Sequence, residues 1–196
     1  MTSNMLLHRR EYIILAAIEV INEYGVSSFS TKEVSKRVGI SEPAIFKHFK
    51  TKVDLLKAVI DRFSHYDCDM IHSIRSKKLN AIESITLFIN TFTTYYENYP
   101  AMTELTQSFE DFRRDPNFTD QIQEILQTRK NFMIELTEQG KASGEFKPEI
   151  DEEQLAVTIL GMEREWSLNW RFSGYSFSLS EKISSNLNML IELSKL

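Results

Sequence analysis

Apolar positions recur at helical spacing along almost the whole of this chain. Between about Arg9 and Tyr24, residues Ile14, Ala17, Ile18 and Ile21 follow the i, i+3, i+4, i+7 rule, and Ile13, Val20 and Tyr24 widen the stripe. The spacing predicts an amphipathic helix stopped by Gly25, with residues 1–7 loose ahead of it. Val26 and Phe29 can tuck under the pair of short helices that comes next. The first of these runs from about Thr31 to Val38, with Thr31 as N-cap, and ends at Gly39, which can take positive φ. The second runs from Glu42 to Phe49, with Ser41 as N-cap and Pro43 in the first turn, where a missing N–H costs nothing. Val34, Val38, Ile40, Ile45 and Phe49 can close one small core between them. The next helix starts at the N-cap Thr51, carries Val53, Leu56, Val59, Ile60 and Phe63, and reaches about Ser76.

Residues 76–80 read as a break. A helix over about 81–99 is apolar around most of its girth, as a central helix is, and Pro100 ends it. One short helix holds Met102, Leu105, Phe109 and Phe112 and closes at Asp115-Pro116. The next carries Ile122, Ile125, Leu126, Phe132, Met133 and Leu136, with Gly140, Gly144 and Pro148 marking the loop after it. Asp151 and Gln154 make a capping-box-like start to a helix that reaches about Phe172, where Ser173-Gly174 breaks it. Ser178 and Glu181 open the last helix, which holds Ile183, Leu187, Leu190 and Ile191. The count is nine helices and no convincing strand, an all-α fold. Six Gly and four Pro suit long helices. The single cysteine, Cys68, excludes an intrachain disulfide framework and fits a reducing cytoplasm. No run is long and apolar enough to span a bilayer, and Glu11 with the basic pair before it does not read as a signal peptide, so a cytoplasmic protein with no membrane partner is expected.

Charge changes the picture of the two short helices. Residues 30–52 hold six Lys or Arg against two Glu, a local charge of +4, which leaves −9 for the rest of a chain of net −5. The exposed positions there are Lys32, Lys36, Arg37, Lys47, His48, Lys50 and Lys52. Lysines of this kind can simply solvate helix faces, but two short helices joined at Gly39 with a basic rim form a helix-turn-helix, a module that touches a polyanion while an acidic body avoids it.

The order Thr31, Val34, Ser35, Val38, Gly39, Ile40, Ser41, then Ala44-Ile45-Phe46-Lys47-His48-Phe49 and Lys52, resembles the tetracycline-repressor (TetR) family. The resemblance covers about a quarter of the chain in its specific residues and departs at Ser35, where Ala is usual, and at Phe46, where a Tyr hydroxyl is usual. It implies a three-helix DNA-binding domain over residues 1–52 and a helical effector-binding and dimerisation domain over residues 53–196, joined by the helix that starts after Thr51. It also implies that Glu42, Pro43, Ala44 and Lys47 face base edges of a double-stranded operator and that Thr31, Ser41, His48 and Lys52 meet phosphates. Phe46 stacks on sugar or methyl groups, or turns inward as core.

The second domain is rich in rings. Phe88, Phe92, Tyr95, Tyr96, Phe109, Phe132, Met133, Trp166 and Trp170 can be plain core, but as a set they suit a pocket for an apolar or amphiphilic molecule, with Glu163, Arg129, Tyr99 and Arg164 as further polar groups. The resemblance implies that the last two helices pair with those of a second copy. This places Leu155, Ile159 and Met162, with Ile183, Leu187, Leu190 and Ile191 on the last helix, at a homodimer interface that pairs two reading heads; the alternative is that each stripe is buried by its own subunit. His65, Asp69 and His72 share one helix face near Cys68. This is a metal-ligating pattern or, the reading favoured, a solvated face, and no metal or cofactor is assigned. No nucleophile elbow, P-loop, paired metal motif or Gly-rich dinucleotide turn is present in the sequence, and no catalytic residue is assigned. The reading is a ligand-responsive homodimeric repressor on a palindromic operator. Its alternatives are a DNA-binding protein of the same fold governed by a protein partner, a metal-responsive regulator, and an all-α enzyme with an incidental helix-turn-helix.

Overall fold

The computed structural model describes residues 2–196, with side chains from residue 9 onward. Its helices are α1 (Thr2–Tyr24), α2 (Thr31–Val38), α3 (Glu42–Phe46), α4 (Lys52–Arg75), α5 (Ala81–Asn98), α6 (Ala101–Gln107), α7 (Phe109–Arg113), α8 (Thr119–Ala142), α9 (Glu152–Phe172) and α10 (Leu179–Ser194). Among the described residues the only β feature is an isolated bridge between Phe146 and Lys195. Met1, the first of the residues expected to be loose, lies outside the described residues, and from Thr2 the backbone is helical. The single short helix expected after Pro100 is two, because Ser108, at φ −81° and ψ 2°, leaves helical geometry between α6 and α7. Gly140 does not mark the loop. It lies buried in α8, and a Cβ there would meet the Phe146 ring at 2.4 Å, so the helix runs on to Ala142 beneath that ring.

The chain forms two compact units. One takes the residues up to His65 together with Glu104–Gln123, and the other takes Tyr66–Thr103 with Glu124–Leu196. Within α4 the division falls between His65 and Tyr66.

In the first unit α1 buries Ile13, Ile14, Ala17, Ile18, Val20 and Ile21, while Tyr24, at the helix end, is left exposed. α1 packs on α2, and α2 on α3. Gly39 takes φ +74°, so its N–H reaches the Lys36 carbonyl while that of Ile40 reaches the Ser35 carbonyl. Two otherwise orphaned acceptors are satisfied in this way. Val34, Ile45 and Phe49 are fully buried and Val38 and Ile40 half-buried, which makes the small core the pattern predicts. Thr51 caps α4, with its hydroxyl accepting from the Asp54 N–H at 3.1 Å and the Asp54 carboxylate accepting from the Thr51 N–H at 2.9 Å. Phe63 meets Phe109 edge-on at 5.4 Å.

In the second unit α5 begins in a capping box of Asn80 and Glu83, and the Glu145 carboxylate accepts from the Ala81 and Ile82 N–H groups at 3.2 and 3.0 Å. α9 and α10 are capped by Asp151 and Ser178, as their sequences predict. α10 packs on both α5 and α9. The core is Ile71, Ile74, Ile85, Phe88, Ile89, Phe92, Phe132, Met133, Leu136, Ile159, Ile183, Leu187 and Ile191.

Candidate nucleic-acid interface and effector site

The α2–turn–α3 head differs in detail from the sequence reading. α3 ends at Phe46, so Lys47 and His48 form a closing turn instead of a further helical turn. Ser30, not Thr31, is the N-cap of α2. Thr31 is buried, and its hydroxyl donates to the Glu42 carboxylate, which ties α2 to α3. That bond turns Thr31 inward, away from a phosphate role, and explains an acid in the basic rim. Lys52 is drawn back too: its ammonium donates to the Phe29 carbonyl at 2.6 Å and lies 5.4 Å from the Phe29 ring centre. Ser41, Pro43, Phe46 and Lys47 are exposed, and Glu42, Ala44 and His48 are half-buried. Phe46 therefore faces solvent and is not core. Lys36 pairs with Glu33, and Arg37 with Glu23. Among the described residues Lys32, Lys47 and Lys50 make no ion pair, so their charge is left for a partner.

His65, Cys68, Asp69 and His72 are all exposed on α4, and among the described residues no three His, Cys, Asp or Glu side chains converge as metal ligands. Between them sits Asp67, which is 1% exposed. The Arg129 guanidinium forks onto it, Nε to Oδ2 at 2.6 Å and Nη2 to Oδ1 at 2.8 Å, and lies 4.1 Å from the Phe92 ring centre. Burial works against the Arg129 charge, but the Asp67 carboxylate outweighs it and holds the arginine firmly protonated. Burial pushes the Tyr96 hydroxyl well above its usual range.

Glu163 is the surplus acid of this cluster. It is 6% exposed, with the Ser167 hydroxyl 3.4 Å from its carboxylate. Burial raises its pKa, and Arg129 offsets that in part. The folded protein therefore holds a proton that the unfolded chain releases above its ordinary value near 4.5. In the window between that value and the raised one, stability falls as pH rises. Glu163→Gln is expected to raise the urea midpoint at pH 7 while leaving it nearly unchanged at pH 4, where wild type is protonated in both states. Equal midpoint shifts at the two pH values would contradict this.

Of the expected effector-site residues, Phe88, Phe92, Tyr96, Phe132 and Met133 lie buried together, with Phe88 4.8 Å from Phe92 and 5.3 Å from Phe132. Tyr95 stacks on Tyr66 at 4.4 Å. Phe109 is not among them, since it packs on Phe63 in the first unit. The two tryptophans close the α9–α10 corner. Trp166 meets Phe177 edge-on, and Trp170 meets Tyr175 and donates to the Phe177 carbonyl at 2.8 Å. Asp67 escapes the sequence pattern because it sits in a polar run, although Phe63, Asp67, Ile71 and Ile74 share one buried register.

The expected interface residues also need correcting. Leu155, Ile159, Ile183, Leu187 and Ile191 are buried within the single chain, consumed by its own core, and only Met162 and Leu190 are partly open. The exposed apolar residues of α9 and α10 are Val157, Phe172, Met189 and Leu193.

A helix-turn-helix head with unpaired lysines, set on a helical chain with a buried polar cluster, is the build of a DNA-binding transcriptional regulator. The family model for bacterial regulatory proteins of the tetR family matches residues 13–59, and that for the C-terminal region of YsiA-like proteins matches residues 61–193. The chain belongs to the TetR family. It is 24% identical over 170 residues to the nucleoid occlusion factor SlmA of Vibrio cholerae serotype O1, covering 86% of each chain. It is 25% identical over 179 residues to the fatty acid metabolism regulator protein of Bacillus subtilis strain 168, covering 91% of this chain and 92% of that one. In fold it is similar to the transcriptional regulator FadR from Bacillus subtilis, solved in complex with stearoyl-CoA, with a TM-score of 0.79 at 24% identity over 92% of this chain and 97% of that one. No described helix is long and apolar enough to cross a membrane.

Proposed function

We propose that this protein is a homodimeric repressor released from a palindromic operator by an apolar or amphiphilic effector. Residues 1–52 act as the reading head, and residues 53–196 as the effector-binding and dimerisation part, with α4 as connector. The observation that carries the DNA side is the solvent-facing set Ser41, Pro43, Phe46 and Lys47 around α3. Lys47 donates to guanine O6 or N7, Pro43 and Ala44 touch thymine methyls, and Ser41, His48 and Lys50 steady the backbone. The buried Phe88–Phe92–Phe132 rings beside the Arg129 cluster support an effector with a long apolar part, as does the likeness to a fatty acid metabolism regulator. Such an effector releases DNA only by binding the DNA-free geometry better.

The test begins with selection of bound duplexes from a random pool. On the selected sequence Lys47→Ala is expected to cost roughly 1–3 kcal/mol and to relax preference at one base pair per half-site. Lys50→Ala should weaken all sequences alike and flatten the salt dependence by about one unit. Unchanged affinity and preference on losing Lys47 would show that α3 does not read the groove as described. The likeness to nucleoid occlusion factors supports a second reading, in which a DNA-bound protein of the same fold serves nucleoid occlusion and does not act as a promoter repressor. Chromosome-wide binding separates the two, with a few promoters expected of the repressor and widely spread sites of the alternative.

A further inference from the structure

The second unit carries an open groove of about 470 Å³, lined by Tyr66, Leu87, Asn90, Thr91, Thr94, Tyr95 and Asn98. That volume lies in the range of small-molecule sites. Tyr66 and Tyr95 belong to the ring system of this unit, and Asn90 is tied to α10, its Oδ1 accepting from Ser184 at 2.9 Å. The six lining residues of α5 occupy one face of that helix, the one opposite its buried face of Ile85, Phe88, Ile89, Phe92 and Tyr96.

The groove's hydrogen-bonding character can be read atom by atom. The Thr91 hydroxyl donates to the Leu87 carbonyl at 2.7 Å, and the Thr94 hydroxyl to the Asn90 carbonyl at 2.8 Å. The Asn98 amide donates to the Thr94 carbonyl at 2.9 Å. Each hydroxyl proton is committed within the helix, so Thr91 and Thr94 offer only lone pairs outward, and Asn98 offers its amide oxygen and its second amide N–H. Asn90, its oxygen engaged, offers its NH₂. The face thus presents donors as well as acceptors, and hydroxyl groups, which serve as both, match it. No Lys, Arg, His, Asp or Glu lines the groove, so a phosphate or carboxylate has no counter-charge there and would lose solvation for nothing. The Tyr66 and Tyr95 rings, stacked on one another at 4.4 Å and 21°, add aromatic surface to the lining.

We infer that this groove binds an uncharged ring compound bearing several hydroxyl groups, a polyphenol or an aryl glycoside, as an effector distinct in chemistry from an acyl-CoA. The inference rests on the reading of the second unit as effector-responsive. Its output is built in. Tyr66 lies on α4 next to Asp67, and its ring meets Phe92 edge-on at 5.4 Å, the same ring that Arg129 covers. A ring that packs against the Tyr66–Tyr95 pair thus bears on the connector helix and on its Asp67–Arg129 tie.

The experiment is calorimetric titration of the full-length protein with catechin, phenyl β-D-glucoside and stearoyl-CoA, each repeated with Thr91→Val/Thr94→Val. Valine keeps the shape and removes the acceptors, and the unliganded variant should match wild type in circular dichroism and in binding the selected duplex. At least one of the two ring compounds is expected to bind wild type, to release the duplex, and to bind the variant about tenfold more weakly. Which one binds identifies phenol or sugar as the source of the hydroxyls. Failure of both rings to bind at millimolar concentration, or equal binding to the variant, overturns the inference. Release of DNA by stearoyl-CoA alone, unaltered in the variant, overturns it as well but leaves the effector-responsive repressor standing. Absence of any effector response would remove both.

Discussion

Asp67→Ala is expected to lower the stability of the second unit by about 3–5 kcal/mol, the cost of leaving a buried guanidinium without its partner. Asp67 is almost wholly buried and the Arg129 side chain is 11% exposed, so water cannot replace the lost carboxylate. The remaining acid, Glu163, is held toward its neutral form by burial and is a poor substitute. Both tryptophans lie on α9 in this unit, so their fluorescence reports its urea unfolding separately from the DNA-binding head. The double variant Asp67→Leu/Arg129→Met is expected to recover most of the loss, because two desolvated charges are exchanged for packing of similar volume. A single-variant loss below about 1 kcal/mol would mean that Arg129 finds water or another anion and that the cluster is not closed.

The helices are legible in the sequence because their apolar stripes and caps are local. Thr51, Asp151 and Ser178 act as caps in the structure for the reason their sequences suggest, a side-chain oxygen placed three residues before a free N–H. What the pattern conceals is of another kind. Thr31 reads as a cap because it is a Thr beside a helix start, but its hydroxyl is drawn across the turn to Glu42, eleven residues on, which no local rule anticipates. Asp67 is hidden among His65, Cys68, Asp69 and His72, all solvated, and only its register with Phe63 and Ile71 marks it as buried. Glu163 carries the same mark, lying between Ile159 and Ser167 on the buried line that ends at Trp170. A polar residue in an apolar register is the usable signal for such a cluster, and its partner Arg129, on another helix, is not readable from one strip of sequence.

The second large effect concerns assembly and reverses the assignment of faces on α9 and α10. The densest apolar stripe of a terminal helix reads as the partner's share, yet Leu187 is fully buried in its own chain. Leu187→Glu would put a carboxylate into that core, so it is expected to unfold the second unit and to say nothing about dimerisation. The outward stripe of α10 holds Asn186, Met189 and Leu193, with Met189 54% and Leu193 66% exposed, and the outward stripe of α9 holds Val157, Gly161 and Leu168. Gly161 has open space where a Cβ would stand, so nothing in its own chain demands a glycine, whereas a second helix crossing there would. Met189→Glu/Leu193→Glu is therefore expected to give folded monomers with wild-type circular dichroism. Operator affinity should fall by about a hundredfold or more, since the two half-sites are no longer engaged by one linked pair of heads. Sedimentation at micromolar concentration decides the matter. A double variant that stays dimeric places the interface elsewhere, and one that is monomeric yet binds the full operator as tightly as wild type shows that pairing is not what sets DNA affinity.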